Sequence, residues 1–377
     1  MSRKICYVSG TRADLGLMRS TLQAIQQAQD LELAIIVTGM HLLEQYGKTV
    51  QDIVAAGLPV SACIDIDMEP PTGATMARNI GKMLTSFVDV LADIKPDLVL
   101  LLGDRGEMLA GALAAIHLNI PVAHIHGGER SGTIDEPVRH AISKLSHYHF
   151  TATHEARDRL IRMGEAAANV HVVGAPGLDG LAALACVDRE VLLADMALEP
   201  QRPVALMVYH PVLQEAERAG FGAAHILNLL GGQGVQVVAL KPNSDAGSQQ
   251  IRQVLEERAS DPGVRVVTHF PREQFISWMA AADFMIGNSS AGIIEAASFG
   301  TPVINIGSRQ NLRERNINVT DVPVDASAIE LAIAQTLVGG RYERRNIYGD
   351  GRSSTRIATL LKSISLDASV LTKTNVY

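Results

Sequence analysis

Apolar residues in this chain gather in short unbroken runs bounded by turn-forming residues. The segment Asp97-Leu-Val-Leu-Leu-Leu102 is apolar from its second position onward. A strand with one wet face would alternate, so this run predicts a parallel strand covered on both faces. Comparable runs predict strands near residues 4–8, 31–37, 60–66, 97–102, 120–125, 148–152 and 170–173. The rhythm returns near 203–208, 234–240, 263–268, 283–286, 302–306 and 318–323. Helix-length segments such as Leu17–Ala28 and Met108–Leu118 separate them. Strand–helix alternation carried through twice predicts an α/β chain of two doubly wound parallel-sheet, Rossmann-like domains.

The breaker-rich stretches Gly174-Ala-Pro-Gly-Leu178 and Leu198-Glu-Pro-Gln-Arg-Pro203 bracket the join. Domains of 1–178 and 179–377 follow, with the last helix able to pack back on the first. Two such sheets bring the carboxyl ends of their strands to one interdomain cleft, where open α/β sheets bind ligands. The polar tail Thr372–Tyr377 is expected to fray.

Composition narrows the class. A chain of 377 residues that is 47% hydrophobic can fill two cores. A net charge of −7 argues against a broad nucleic-acid or anionic-membrane surface. Cys6, Cys63 and Cys186 are scattered and odd in number, suggesting neither a disulfide framework nor a clustered zinc site. The chain enters a strand at once, so no signal peptide is expected. Its apolar runs fall far short of the roughly 20 residues that span a bilayer. A cytoplasmic enzyme with no nucleic-acid or membrane partner is the expectation.

Candidate chemistry sits where strands end. Ser9-Gly-Thr-Arg-Ala-Asp-Leu-Gly16 follows the first strand but is neither a Walker loop nor a dinucleotide fingerprint. Gly103-Asp104-Arg105 and His124-Ile-His-Gly-Gly-Glu129 follow two more strands and set carboxylates beside glycines that admit close backbone approach. Asp135-Glu136 opens the helical segment Pro137–Leu145. A bland reading has Asp104 paired with Arg105 and Asp135 capping its helix. Acidic groups at adjacent strand ends favour acid–base chemistry instead.

Six histidines lie between His117 and His149, and His124 and His126, two apart on a strand, should share a face. With no H-E-x-x-H and no nearby cysteine, they read as core imidazoles, and no metal is expected. In the second half, Asn288-Ser-Ser290 ends a strand and opens a helix in which Glu295 lies one turn along. Unpaired helix-start amides and serine hydroxyls suit a phosphate, although Ser289 or Ser290 could simply be an N-cap. A carboxylate at Glu295 can accept both hydroxyls of a ribose. Arg12, His210, Ser289, Ser290 and Arg309 would converge on a diphosphate, with Lys241 and Asn243 at the same edge.

These residues resemble the hydrolysing UDP-N-acetylglucosamine 2-epimerases. The resemblance runs through SGTRADLG (9–16), TGMH (38–41), GDR-x-E (103–107), HIHGGE (124–129) and DE-x-x-RH (135–140). It continues through KPN (241–243), GNSS-x-G-x-x-E (287–295) and FGTPVINIGSRQ (299–310). It implies a glycosyltransferase-B-like fold with UDP held mainly by the second domain. Arg12, His210, Asn243, Ser289, Ser290, Glu295 and Arg309 would hold the nucleotide, His210 counting also among the catalytic residues. Asp104, Glu129 and Asp135 would be the acid–base set, with Arg105 near the phosphates. Leu15 and Gly106 depart from the family pattern at positions expected to border the sugar.

The implied reaction is elimination of UDP to a 2-acetamidoglycal, then hydration with inversion at C2. UDP-N-acetylglucosamine would give N-acetylmannosamine and UDP for sialic-acid-type synthesis. The alternative substrate is UDP-N,N′-diacetylbacillosamine, on the legionaminic acid route. A non-hydrolysing epimerase, a glycosyltransferase of this architecture and a silent UDP-binding regulator are more distant readings. No cofactor is implied, and the family points to a homodimer or homotetramer, with Met76–Leu91 and Pro137–Leu145 as contact candidates.

Overall fold

The computed structural model describes residues 2–131, 134–243 and 245–376. Seven strands form the first sheet: β1 (Arg3–Ser9), β2 (Leu31–Thr38), β3 (Val60–Ile64), β4 (Leu98–Leu102), β5 (Val122–Ile125), β6 (Tyr148–Thr151) and β7 (Val170–Val172). Six form the second: β8 (Val204–Val208), β9 (Gln236–Leu240), β10 (Val264–Val267), β11 (Phe284–Gly287), β12 (Val303–Ile306) and β13 (Val319–Val322). All pair in parallel, in the orders β3-β2-β1-β4-β5-β6-β7 and β10-β9-β8-β11-β12-β13. Each expected run forms a strand, some shortened at their ends.

Period-two alternation explains why these runs need no polar face. Leu98, Leu100 and Leu102 enter one core layer while Val99 and Leu101 enter the layer on the other side of the sheet. In β8, Val204, Leu206 and Val208 divide from Ala205 and Met207 in the same way. Helices cover both faces, so truncating a fully buried residue such as Leu100 to alanine should cost about 2–5 kcal/mol.

The first helix begins at Arg12 rather than Leu17, running to Gln27. Thr11 and Asp14 form a reciprocal capping box there, which commits the loop residues to a helical turn. The chain crosses to the second sheet after Gly174 and returns near Tyr348, where Ala175 N donates to Tyr348 O at 2.8 Å. On return, the helix Ser353–Ser363 has its start capped by Asp179, which accepts from Ser353 N and Ser354 N. Its Ile357 and Leu361 enter the core of the first sheet.

The tail does not fray as expected. Lys373 Nζ donates to the carbonyls of Ser143, Lys144 and Ser146 and pairs with Glu165 at 2.7 Å, and Val376 N donates to Gly164 O. A cation at a helix C-terminus satisfies its orphan carbonyls, which is the force that the composition concealed. Tyr377 lies outside the described residues. Among the described residues no helix is long and apolar enough to cross a membrane.

Candidate active site

Both sheets reverse strand order at a switch point, between β1 and β4 and between β8 and β11. A crevice must open there because the flanking helices leave on opposite faces. The loops after these strands line one cleft of about 530 Å³. Arg12, Asp104, Arg105, Glu129, Asp135, His210, Asn243, Ser289, Ser290, Glu295 and Arg309 all lie along it.

The loop after β1 is built by Asp14. Its carboxylate accepts from Gly10 N, Thr11 N, Ser9 Oγ and Tyr7 Oη at 2.5–3.2 Å. Beneath it, Ser9 Oγ meets His41 Nε2 at 2.9 Å and His41 Nδ1 meets Thr49 Oγ1 at 2.8 Å, so TGMH supports the loop. Gly10 has no room for a side chain, since a Cβ would lie 2.8 Å from Glu107 Cγ. Arg12 projects from this scaffold with its Nη1 buried and without a hydrogen-bond partner among the described residues. Burial and nearby Arg252 draw its pKa down to about 10, still leaving it cationic at neutral pH.

Asp104 pairs with Arg139 of the helix Asp135–Leu145, and not with Arg105. Arg139 is buried, and its Nη1 also donates to Glu129 O at 3.2 Å. Arg105 instead meets Glu107 and, across the cleft, Asp245, each at 3.3 Å. Burial disfavours its charge, but these carboxylates outweigh burial and raise its pKa. Asp135 opens its helix and faces the cleft, with Ile134 at the cap position.

His124 and His126 do not share a face. β5 ends at Ile125, and His126 adopts φ +62°, a left-handed conformation that costs a non-glycine residue about 1–2 kcal/mol. His124 turns inward, contacting Ser143 Oγ at 3.0 Å and Gly103 O at 2.6 Å, and burial lowers its pKa to about 3. His126 turns into the cleft, where its Nδ1 contacts Glu129 Oε1. Arg313, from the loop after β12, brings Nη1 to 2.7 Å from Glu129 Oε2, an ion pair not aligned for a hydrogen bond. Burial would raise the Glu129 pKa, but Arg313 and His126 prevail and hold it at about 2.

On the opposite wall, Asn288 staples the ends of β8 and β11. Its Oδ1 accepts from His210 N at 2.7 Å and its Nδ2 donates to His210 O at 2.8 Å. His210 Nδ1 accepts from Asn243 N at 3.3 Å, which leaves the proton on Nε2 as a donor. Burial and Arg309 lower the His210 pKa, so the ring is neutral. Asn243 Nδ2 donates to Asp245 at 2.6 Å, and Arg309 Nη1 donates to Asn288 O at 3.2 Å.

Ser289 is the N-cap of the short helix Ser290–Ile294, its Oγ accepting from Ala291 N while its hydroxyl proton is not used by that cap. Glu295 follows that helix rather than sitting within it, fully buried. Both of its oxygens already face Arg272, at 2.5 and 3.2 Å. Arg272 thus already holds the carboxylate that the sequence offered as free. Leu15 lines the cleft as expected. Gly106 instead faces Ile80, whose Cγ1 would lie 2.8 Å from a Cβ, so its smallness serves helix packing.

Sequence reasoning missed Arg139, Asp245, Arg272, Arg313 and the contact of His126 with Glu129. Arg139 carried a usable signal, lying one helical turn after Asp135 on the same face. Arg272 also follows a strand end, β10. Arg313 had none, because its partner is 184 positions away in the chain.

A family profile described as UDP-N-acetylglucosamine 2-epimerase matches residues 23–362. The UDP-N,N′-diacetylbacillosamine 2-epimerase (hydrolyzing) of Legionella pneumophila is 48% identical over 377 residues, covering 100% of each chain. The UDP-N-acetylglucosamine 2-epimerase of Neisseria meningitidis serogroup B is 36% identical, covering 94% of this chain and 93% of its own. In fold, the crystal structure of a UDP-GlcNAc 2-epimerase from Neisseria meningitidis bound to UDP-GlcNAc superposes with a TM-score of 0.80 at 22% identity. It covers 96% of this chain and 100% of its own.

Proposed function

Since the chain belongs to the UDP-N-acetylglucosamine 2-epimerase family, we propose that it is a hydrolysing UDP-sugar 2-epimerase acting on UDP-N,N′-diacetylbacillosamine. One observation carries the reaction type. One cleft is lined both by cationic and hydroxyl donors, including Arg12 with its unpartnered Nη1, and by the carboxylates Asp104, Glu129 and Asp135. Leaving-group stabilisers and proton-handling groups are the two things that this chemistry needs in one enclosure.

The hydrogen on C2 of the sugar is not acidic in the ground state. As UDP departs from C1, positive charge develops there and acidifies that hydrogen. Arg12, Arg309 and His210 Nε2 would donate to the diphosphate as it gains charge, and donors so used act most strongly in the transition state. Arg105 and Asn243 would flank the phosphates, Ser289 and Ser290 add hydroxyls, and Glu295 would take the ribose. A base on one face removes the C2 hydrogen to leave a glycal. Water then adds at C1, and an acid on the other face returns a proton to C2. Asp104, Glu129 and Asp135, which line the same cleft, would serve the sugar, and Glu129 is ionised throughout the physiological range. No electrons are transferred overall, so the reaction calls for no redox cofactor.

The substrate order rests on the relatives. UDP-N-acetylglucosamine, first in the sequence reading, becomes second because the Legionella enzyme aligns end to end at 48% identity while the Neisseria enzyme stands at 36%. The same reading makes the protein cytoplasmic and a homodimer or homotetramer, with domains 1–178 and 179–377. Its product would feed legionaminic- or sialic-acid-type synthesis.

Incubation with each sugar nucleotide in deuterated water tests this. Free 2-epimerised sugar carrying deuterium at C2, plus UDP, is expected, faster from UDP-N,N′-diacetylbacillosamine. Recovery of an intact epimeric sugar nucleotide, or protium alone at C2, contradicts the hydrolytic elimination.

A further inference from the structure

One Glu129 oxygen, Oε1, is committed to His126 Nδ1, and the other, Oε2, is held electrostatically by Arg313 without a hydrogen bond. A carboxylate spent in this way supports its neighbour, and what it supports is an imidazole in the cleft. With Nδ1 bound to an ionised carboxylate, the ring proton stays on Nδ1 and the lone pair falls on Nε2. Among the described residues Nε2 has no protein partner, and it is the ring atom left to face the cleft. The left-handed backbone at His126 carries the side chain away from the path of His124 and into this position. Strain of this kind persists where the surrounding structure fixes it, here through Gly127 and Gly128. A Cβ on Gly128 would lie 2.3 Å from Ala156 O, so the turn is locked against its neighbouring helix.

We propose that His126 is the catalytic base that removes the C2 hydrogen, with Glu129 as its positioning residue. The inference rests on the reaction proposed above. The C2–H bond breaks, its proton moves to Nε2, and its electron pair becomes the C1=C2 bond. The C1–O bond to UDP breaks with both electrons leaving on UDP. The imidazolium is held against the Glu129 carboxylate, itself held by Arg313, and releases its proton to solvent. Hydration consumes one water, placing hydroxyl on C1 and a solvent-derived proton on C2 from the opposite face. Other charged or titratable groups facing this dyad are His124 from β5, Arg139 from the helix Asp135–Leu145, Glu314 and Tyr348.

His126→Gly tests the proposal, because glycine accepts the left-handed backbone and leaves a space of imidazole shape. Turnover should fall about 10²–10⁴-fold, the range for loss of a general base, while UDP affinity by calorimetry stays within about twofold. Added imidazole should restore turnover, tracking its neutral form. His126→Asn, which also tolerates this backbone, should be as slow and not be rescued. Glu129→Gln should lose only about 10–100-fold, and the double variant with His126→Gly should be no slower than His126→Gly alone. Near-normal turnover in His126→Gly, failure of imidazole to restore it, rescue tracking imidazolium, or multiplying losses in the double variant overturns the proposal. Should the unaltered protein release UDP from neither sugar nucleotide, the proposed function fails first and takes this inference with it.

Discussion

At Arg12 two requirements conflict, and the conflict is informative. A buried guanidinium atom without a partner costs stability, since its charge is stripped of water and nothing replaces it. Such a cost is tolerated where an anion arrives later. Arg12→Met should therefore weaken UDP binding by about 1.5–3 kcal/mol, roughly 10- to 150-fold, while leaving Tm unchanged or raised. Isothermal calorimetry and a thermal melt read the two signs independently; unaltered affinity would remove Arg12 from the phosphate site. Asp104 gives the reverse case. Removing its charge strands buried Arg139, so Asp104→Asn should lower stability by about 3–5 kcal/mol as well as abolish most turnover. Adding Arg139→Gln relieves the stranded charge. The double variant should regain Tm without regaining activity, and recovery of both would make the pair structural only.

At the scale of elements, Gly106 shows how a family departure can mislead. Its position next to Asp104-Arg105 suggested the sugar pocket, yet Ile80 occupies the space beside it. Gly106→Ala should cost about 1–3 kcal/mol through overpacking of the helices Gly73–Ile94 and Gly106–His117. Trimming Ile80 to valine should recover much of that in a denaturant titration, with turnover little changed in both; a large loss of turnover in Gly106→Ala at unchanged Tm would restore the pocket reading. The strands were legible because each apolar run is local, and β4 declares itself within five residues. The site was legible as far as strand ends go, since Arg12, Asp104, His210, Asn243 and Ser289 each follow one. What escaped was the second partner of each side chain. Glu295 reads as a free carboxylate until the fold brings Arg272 to it, and Glu129 reads as unpaired until Arg313 arrives. The bend at His126 was hidden for another reason: period-two alternation assumes that the strand continues, and it stops one residue short.

Across the whole molecule, the cleft is bridged by charge. Arg19 meets Glu273 at 2.8 Å, Arg105 meets Asp245 at 3.3 Å, and Arg313 meets Glu129 at 2.7 Å, each pair linking segments of the first and second sheets. Ion pairs so placed make stability depend on pH, and the buried histidines set where that dependence begins. His124 is held neutral by burial, its pKa lowered to about 3 from an ordinary value near 6.5, and His210 is lowered in the same direction. A folded-state pKa below the unfolded one means that the unfolded chain binds more protons as pH falls. The stabilisation from neutral burial is therefore complete above about pH 6.5 and is lost on acidification below it. At pH 4.5 the loss from His124 alone amounts to roughly 2–3 kcal/mol. Glu129, held at about 2 against an ordinary value near 4.3, adds nothing to this first limb. Its contribution persists until the unfolded carboxylate begins to protonate near pH 4.3 and is lost from there toward pH 2. Calorimetric melts should accordingly show Tm flat from pH 8 to about 6.5, declining between 6.5 and 4.5, then falling more steeply. Replacing His124 by glutamine should make the first limb shallower, with His147 and His210 sustaining the remainder, while leaving the second. A decline that starts only below pH 4.5 would mean that His124 is accommodated as an imidazolium, and the rigid seating of the loop after β5 would have to be abandoned.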